Sequence, residues 1–345
     1  MADLNTPLLS VVIPVFNGEQ YIGRMIDCFR AQESRDFELI FVDDGSTDAS
    51  LSLLRSYQRS EEFPITVVEL EPSGVSAARN AGLEKVRGDW ISFVDVDDRI
   101  VPNYMTVFRE AMEKEPAFDL FYFRSERVTP EGPFDAPGPY SGSVGMTAEQ
   151  MLKTIGQDPT KFGVYNLFLS AELLREHDFR FAEGFAYYED YDFLFRVTAR
   201  ARAIRYCPDR LYFYLLQEGS AVATFPLSRV SSILLLERLG PYLDQYAPGF
   251  VPMFESFVLP RIWWSVLWQA CLAFPLKDWL AFAKAAGARS KMKLLSGSAD
   301  PKVAGSAKLF LTAPPAFYAA ALAAGKARSK IGRTDVRPFL EYLNQ

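Results

Sequence analysis

A chain of 345 residues is long enough for one large domain or for two, each with its own core. Its 49% hydrophobic and 23% charged residues are typical of a globular protein, and its net charge of −6 argues against a nucleic-acid partner. A single histidine, His177, and three widely separated cysteines leave no set of ligands for a histidine-bound zinc, no histidine-based triad and no disulfide framework. This cysteine usage, without an apolar leader, predicts a cytoplasmic protein.

The first part of the sequence alternates apolar runs with helical patterns. Apolar runs predict strands at 8–16, 37–42, 65–70, 90–94 and 118–123. Between the first four of them, hydrophobic residues recur at helical spacing, and Asn17 with Gln20 has the spacing of a helix capping box. This alternation indicates βαβ units and therefore predicts an α/β fold, with a mostly parallel sheet flanked by helices.

The second part of the sequence changes character twice. Residues 130–143 are rich in Pro and Gly and predict an irregular loop, after which strands are expected at 164–169, 203–207 and 211–216. Helices are expected from 171 and from about 188. From residue 226 only helical patterns remain, at 226–245, 251–274 and 276–290. We therefore predict an α/β domain over residues 1–222 and a helical C-terminal region over 223–345.

Two of the predicted strands run directly into aspartates. Asp43 and Asp44 end the second strand, and Asp95, Asp97 and Asp98 follow the fourth. Unpaired buried carboxylates are costly, so these side chains should face water, a cation or a ligand at the strand ends. A loop whose aspartates cap the next helix is the simpler alternative.

An acidic crevice repels a phosphate-bearing ligand unless a cation lies between them. Mg²⁺ and Mn²⁺ prefer carboxylate oxygens and bridge to phosphates. Neither a GxGxxG motif nor a P-loop follows the first strand, which argues against dinucleotide oxidoreductases and P-loop NTPases. Asp44 would suit hydrogen bonding to a ribose or a base.

Four motifs, taken in order, resemble those of the family 2 glycosyltransferases of GT-A fold. They are SVVIPVFN at 10–17, FVDDGSTD at 41–48, GVSAARNAG at 74–82 and DVDD at 95–98. The resemblance covers roughly residues 8–220. It implies a nucleotide-diphosphate-sugar donor with UDP as the default, a divalent cation (Mn²⁺ or Mg²⁺), and inversion at the anomeric carbon. It further implies a donor half at about 1–128, an acceptor half at about 129–222, and a saccharide or lipid-linked acceptor in surface polysaccharide synthesis.

The resemblance also assigns roles to particular residues. The implied donor-binding set is Pro14, Val15, Phe16, Asp44, Arg79, Asp95 and Asp97. Asp44 would hold the nucleoside, and Arg79 would help to position the nucleotide. Asp97 is the first choice for the metal and Asp98 the second.

An inverting transfer needs a general base that takes the proton from the acceptor hydroxyl. Tyr188-Glu189-Asp190 looks like the catalytic acid motif of the family, so Asp190 is the predicted base, with Glu189 or Asp192 as substitutes. The alternative is that Glu189 and Asp190 only complement the positive end of the helix that they open.

One arginine expected from the resemblance is missing. Relatives that make capsule and exopolysaccharide often carry it near a serine-containing turn, whereas residues 212–220 contain none. Arg205, Arg210 or Lys161 could replace its contact with the diphosphate. Because this arginine is missing, an alternative is a catalytically silent relative that binds only nucleotide sugar or a partner protein. A phospho-receiver-like domain fits less well, because its acidic pair should follow the first strand.

The C-terminal sequence is apolar over residues 309–324, contains Pro314-Pro315, and then becomes basic up to Arg337. This run is too short to span a bilayer, but it fits peripheral attachment to an anionic membrane on the cytoplasmic side. The alternative is a helix packed on the domain with a solvated basic tail. Trp263, Trp264 and Trp268 have the spacing of core residues.

Overall fold

The structure is a computed structural model that describes residues 6–129, 132, 134, 138–158, 161–216, 225–325 and 334–344. The chain divides into two compact units. One consists of Met1–Gly184 with Glu189–Gln217, and the other of Phe185–Tyr188 with Glu218–Gln345. The basic residues Lys326, Arg328, Lys330 and Arg333, part of the 130–143 loop, and residues 217–220 lie outside the described residues.

The first unit is an α/β structure, as predicted. Its strands are β1 (Leu9–Val15), β2 (Phe37–Asp44), β3 (Ile65–Leu70), β4 (Trp90–Phe93), β5 (Arg99–Ile100), β6 (Leu120–Val128), β7 (Val144–Met146), β8 (Leu167–Ser170) and β9 (Ile204–Leu215). Its helices are α1 (Glu19–Arg30), α2 (Ser50–Ser60), α3 (Val75–Leu83), α4 (Tyr104–Lys114), α5 (Ala148–Gln157), α6 (Ala171–Glu176) and α7 (Glu189–Arg200).

The strands form one sheet in the order β3-β2-β1-β4-β8-β6-β9-β5, with β7 paired to β9. The first four of these strands are parallel neighbours, and the sheet is mixed beyond β4. β1 pairs with β2 on one side and with β4 on the other, so Val12 faces Ile40 and Phe93. The carboxyl ends of these three strands therefore lie side by side, and the loops that follow them meet at one edge of the sheet.

The predicted pair of strands at 203–207 and 211–216 is wrong, because the structure has the single strand β9 there. Pro208 lies within it, and β6 shifts register against β9 between Tyr122 and Ser125. A register shift absorbs a residue that cannot donate to the ladder, so the strand continues through the proline.

Gly82 lets helix α3 lie directly on the sheet. A Cβ at this position would collide with Val12 Cγ1 and lie 3.3 Å from Val42 Cγ2, both in the buried core. We expect Gly82→Ala to reduce the free energy of unfolding by about 1–3 kcal/mol, the usual cost of overpacking. Urea unfolding measures this change.

Gly23→Ala is the matched control for Gly82→Ala. Gly23 lies in α1, where an added Cβ would meet only the Tyr57 hydroxyl, at 3.3 Å. The terminal atom of a side chain can move, and alanine favours the helix by about 1 kcal/mol, so this variant should be no less stable than the parent. Equal losses in both variants would contradict the close-packing argument.

The second unit is helical, in agreement with the predicted C-terminal region. Its helices are α8 (Leu227–Glu237), α9 (Gly240–Tyr246), α10 (Val251–Met253), α11 (Leu259–Ala273), α12 (Leu276–Ala285), α13 (Ala288–Leu295), α14 (Pro301–Thr312), α15 (Pro314–Gly325) and α16 (Arg337–Leu343). The predicted helix 251–274 is interrupted by a π-helical turn at Phe254–Val258, just before Pro260. Such a turn accommodates a proline that cannot donate its i→i−4 hydrogen bond.

The apolar stretch 309–324 packs within the second unit. It divides at Ala313 into α14 and α15, and Phe310 and Phe317 are buried against the ring of Trp279. Trp263 is buried, as predicted, and its indole N–H donates to Glu237. No helix in the described part of the chain is long and apolar enough to cross a bilayer.

Candidate active site

A cleft of about 460 Å³ opens at the carboxyl ends of β1, β2 and β4. Six residues of the predicted donor-binding set line it: Pro14, Val15, Phe16, Asp44, Asp95 and Asp97. The rest of its lining is apolar or glycine: Pro72, Gly74, Val75, Ala78 and Val96. Phe16 is 59% exposed, and such a ring beside an apolar cleft offers a flat surface on which a planar base can stack.

The loops after β1 and β2 are tied to each other by side-chain hydrogen bonds. Asn17 Oδ1 accepts from Thr47 N at 2.8 Å, and Ser50 Oγ accepts from Gly18 N at 2.8 Å. Asn17 has φ of 50°, a left-handed conformation that asparagine tolerates. The predicted capping box is therefore wrong: Gly18 is the N-cap of α1, and the Asn17 side chain joins the two loops instead.

Asp44 fixes a third loop at the same edge. Its two carboxylate oxygens accept from Ser73 N at 2.7 Å and Gly74 N at 2.9 Å. These bonds hold the start of α3 against β2, and each carboxylate oxygen has a second lone pair with which it could accept from a ligand.

The three aspartates after β4 lie in different environments. Asp95 and Asp97 line the cleft and are partly buried. Burial and the charge of Asp95 raise the pKa of Asp97, so a second negative charge is costly there. Asp98 is 1% exposed and accepts from Tyr212 Oη at 2.6 Å and from Leu215 N at 2.8 Å. Both oxygens of Asp98 thus hold β9 in place, and Asp98 is not among the residues that line the cleft.

Arg79 connects the two halves of the site. Its guanidinium lies 3.1 Å from Asp95 Oδ1 and 3.5 Å from Glu189 Oε1, and it packs on the ring of Phe181. The side chain is buried, and the attraction of Asp95 and Glu189 outweighs burial, so the pKa of Arg79 is raised. One guanidinium therefore holds a carboxylate of the cleft and the start of α7 together.

The predicted base and its two substitutes differ in burial and in hydrogen-bond partners. Glu189 is buried against Arg79, and Asp192 accepts from Arg196 Nη2 at 2.5 Å within α7. Asp190 is partly buried and accepts from Tyr191 N at 2.8 Å. Burial and the charge of Glu189 raise the pKa of Asp190 to about 7, against the opposing charge of Arg79. Among these three carboxylates, Asp190 best combines access to a ligand with the basicity that a general base needs.

Asn80, next to Arg79 on α3, holds the segment that leads to α7. Its amide accepts from Phe181 N at 2.8 Å and donates to Phe181 O at 3.0 Å and to Glu183 Oε1 at 2.8 Å. The Asn80 amide thus pairs with both the N–H and the C=O of Phe181, so the segment before Asp190 is fixed to the same helix that carries Arg79.

Sequence patterns missed a group of tyrosines beside the aspartates. The predicted strand at 164–169 begins only at Leu167, and Val164–Asn166 is a 3₁₀ turn. This turn stacks the ring of Tyr165 on that of Tyr212 at 4.7 Å and brings it within 5.9 Å of the Tyr214 ring. Burial raises the pKa of Tyr165, and the charges of Asp95 and Asp190 raise it further. Tyr165 therefore stacks on the tyrosine that donates to Asp98, a position that no local pattern indicates.

The candidate replacements for the missing arginine are already paired. Arg205 pairs with Glu115, Arg210 pairs with Glu126, and Lys161 lies 3.1 Å from Asp158. Arg127, at the end of β6, was not predicted; its guanidinium lies 5.3 Å from the centre of the Tyr214 ring.

The aspartates of the cleft suit a divalent cation that completes its coordination with phosphate. No group of three or more His, Cys, Asp or Glu side chains able to hold a metal occurs in the part of the chain that the structure describes. Mg²⁺ and Mn²⁺ are commonly held by one or two carboxylates together with substrate phosphates, so a protein cage is not required. Asp97 fits this arrangement, because a cation would offset the repulsion between it and Asp95.

Comparisons with known sequences find similarity to glycosyltransferases. Residues 10–168 match the family model for glycosyl transferase family 2. The putative glycosyltransferase EpsH of Bacillus subtilis (strain 168) is 27% identical over 70% of this chain and 71% of its own length. Poly(ribitol-phosphate) beta-N-acetylglucosaminyltransferase TarS of Staphylococcus aureus (strain Mu50) is 26% identical over 68% of this chain and 41% of its own length. The chain thus spans less than half of TarS.

Solved structures show the same fold. The crystal structure of S. aureus TarS 1-349 in complex with UDP-GlcNAc has a TM-score of 0.59 at 20% identity, covering 88% of this chain and 90% of that one. The mannosyltransferase PcManGT from Pyrobaculum calidifontis, in complex with GDP-Man and Mn²⁺, has a TM-score of 0.50 at 17% identity, covering 94% of this chain and 88% of that one. These likenesses confirm the predicted GT-A fold.

Proposed function

We propose that this chain, which carries a glycosyl transferase family 2 domain at residues 10–168, is a glycosyltransferase that moves a sugar, with inversion, from a UDP-sugar to a saccharide or lipid-linked acceptor. The acceptor would be part of a surface polysaccharide. UDP is preferred as the nucleotide because the TarS neighbour, which is also related in sequence, is described with UDP-GlcNAc.

The observation that carries this proposal is the bridge formed by Arg79. The bridge links Asp95, in the cleft suited to a nucleotide, with Glu189, the neighbour of the candidate base Asp190. A single displacement needs the leaving group and the base on opposite sides of one sugar carbon, both held rigidly. A shared buried guanidinium supplies this rigidity.

In the proposed reaction Asp190 accepts the proton of the acceptor hydroxyl as its oxygen attacks the anomeric carbon. The new bond joins the acceptor oxygen to that carbon, and the bond between the carbon and the β-phosphate oxygen breaks, releasing the nucleoside diphosphate. Asp44, Pro14, Val15 and Phe16 would hold the nucleoside, while Asp97 would hold the divalent cation. The cation, when bound, offsets the charge that develops on the leaving diphosphate.

Asp98 stays a predicted second metal ligand, with a weaker case than Asp97. Both of its oxygens accept hydrogen bonds from β9, and a cation would compete with Tyr212 and Leu215 for them. We therefore assign Asp97 the main role and use it for the test.

Asp97→Asn should abolish metal-dependent donor binding. In calorimetry with UDP and Mn²⁺, we expect the affinity of the variant to be reduced roughly tenfold or more, about 1.4 kcal/mol, because the amide cannot neutralise the cation. The parent protein should show a similar loss when EDTA replaces Mn²⁺.

Asp89→Asn is the control, since Asp89 is an exposed aspartate just before β4 and does not line the donor cleft. It should bind UDP as the parent does. The metal assignment would be contradicted if Asp97→Asn and the parent bound UDP equally, or if EDTA did not change the affinity of the parent for UDP. UDP binding without donor hydrolysis or sugar transfer to any acceptor would favour the catalytically silent alternative.

A membrane role stays a prediction. Deleting residues 305–345 would remove Phe310 and Phe317 from the core of the second unit, so a change in fractionation could reflect unfolding. Substituting exposed leucines would test membrane attachment without removing the core: Leu276, Leu280 and Leu294 are 36%, 39% and 52% exposed.

A further inference from the structure

A second cleft, of about 560 Å³, lies along the end of β6. Arg124 and Arg127 line it from β6, and Lys161, Phe162 and Tyr206 line it from neighbouring segments. Successive residues of a regular strand point to opposite faces of the sheet. Here β6 shifts register against β9 around Arg124, and such an irregularity re-aims side chains, so Arg124 and Arg127 both reach one cleft.

The cleft is basic, although the chain carries a net charge of −6. Its one acidic residue, Glu126, is paired with Arg210. Lys161 pairs with Asp158, but these side chains are 72% and 36% exposed, and such a pair contributes little and exchanges readily. Within the described ranges, neither Arg124 nor Arg127 forms an ion pair with a carboxylate. Three cations thus face a space with one anion, which is already neutralised.

Arg127 connects the cleft to the group of tyrosines in the candidate active site. The Arg127 guanidinium is 5.3 Å from the centre of the Tyr214 ring, which is 5.9 Å from the ring of Tyr165. The charges of both Arg127 and Asp190 act on the Tyr165 hydroxyl and shift its pKa in opposite directions. A ligand held by Arg124 and Arg127 would therefore lie beside Tyr214, which contacts Tyr165 of the candidate active site.

We infer that this cleft binds a phosphate group of the acceptor, so that the acceptor is a phosphate-bearing glycan or polyol rather than a neutral sugar. The inference rests on the proposed transferase function and narrows its substrate. Guanidinium groups bind phosphate through two parallel hydrogen bonds, and a lysine adds a mobile charge. Tyr206 and Phe162 offer flat surfaces for the sugar that carries the phosphate.

The test compares glucose 6-phosphate with glucose by calorimetry, with UDP and Mn²⁺ saturating the donor cleft. The parent protein should bind the phosphorylated sugar at least about tenfold more tightly. Arg124→Gln/Lys161→Gln should reduce this preference to less than about twofold, because two of the three cations that face the cleft are removed. The control Arg59→Gln/Lys277→Gln changes the net charge equally, at two exposed residues outside this cleft, and should keep the preference.

The outcomes separate the two proposals. If UDP does not bind the parent, the proposed function fails, and the preference for glucose 6-phosphate is then measured without UDP. If UDP binds all variants equally but the parent does not prefer the phosphorylated sugar, or the double variant keeps the preference, the inference is overturned. Phosphatidylglycerol vesicles form a further arm: binding of these vesicles, and not of glucose 6-phosphate, through Arg124 and Lys161 would assign the cleft to a lipid headgroup and reject the acceptor proposal.

Discussion

Asp190→Asn should reduce sugar transfer by at least about a hundredfold while leaving UDP binding unchanged. The amide cannot accept the proton of the acceptor hydroxyl, and Asp190 does not line the donor cleft. Because only the ionised carboxylate is a base and its pKa is about 7, the transfer rate of the parent should rise with pH through that value and level off above it. Initial rates between about pH 5.5 and 9, at saturating donor, measure this profile.

The pH dependence of stability is an independent test of the raised pKa of Asp190. The pKa of Asp190 is raised from its ordinary 3.8 to about 7 in the folded protein, so the folded state holds this proton more tightly than the unfolded state does. The parent should therefore lose stability from this group as the pH rises between those values. Asp190→Asn cannot ionise and should be more stable than the parent at pH 8.

Asp192→Asn tests whether Asp190, rather than a neighbouring carboxylate of α7, is the base. Asp192 pairs with Arg196 inside α7, so its replacement should lower stability while transfer continues. Loss of transfer in Asp192→Asn together with retained transfer in Asp190→Asn would show that the roles have been assigned wrongly.

Arg79→Met should be the most destabilising substitution in the site. It would leave the carboxylates of Asp95 and Glu189 without the cation between them, and breaking a buried ion pair in this way costs about 3–5 kcal/mol. Urea unfolding at pH 7.5 measures the loss. Arg55→Met is the control, because the pair of Arg55 with Glu69 is 54% exposed on both sides and should contribute under about 1 kcal/mol.

A double variant tests the stated cause. Arg79→Met/Glu189→Gln removes one of the two carboxylates left behind, so it should be more stable than Arg79→Met alone. If the double variant is equally unstable, the loss comes from the packing of Arg79 on Phe181 rather than from the unpaired charges.

The composition of the donor cleft could be predicted from the sequence because it depends on local order. Parallel strands that alternate with helices bring their carboxyl ends to one edge, and β2, β1 and β4 are neighbours there. Residues at or just after the ends of those strands, such as Phe16, Asp44 and Asp97, therefore had to meet, even though they are far apart in sequence.

The rest of the site depends on long-range contacts that no local pattern encodes. Asp98 turns away from the cleft because Tyr212 and Leu215, far along the chain on β9, bind its carboxylate. The local sequence places Arg79 on a helix, but its contact with Glu189 depends on how α3 packs against the start of α7. Arg127 could not be predicted from its position in the sequence, because only the pairing of β6 with β9 brings it beside Tyr214.

Helix α3 has only nine residues, yet Arg79 and Asn80, which are adjacent on it, hold the donor side and the segment before Asp190. In the proposed reaction, the spacing between the leaving group and the base would thus be set by a short helix anchored through Gly82, and not by the outer strands. For protein engineering this separates two tasks. If the proposed acceptor cleft is correct, a library aimed at new acceptors can randomise the rim formed by β6 and β9, whereas α3 should be kept constant so that the reacting atoms stay aligned.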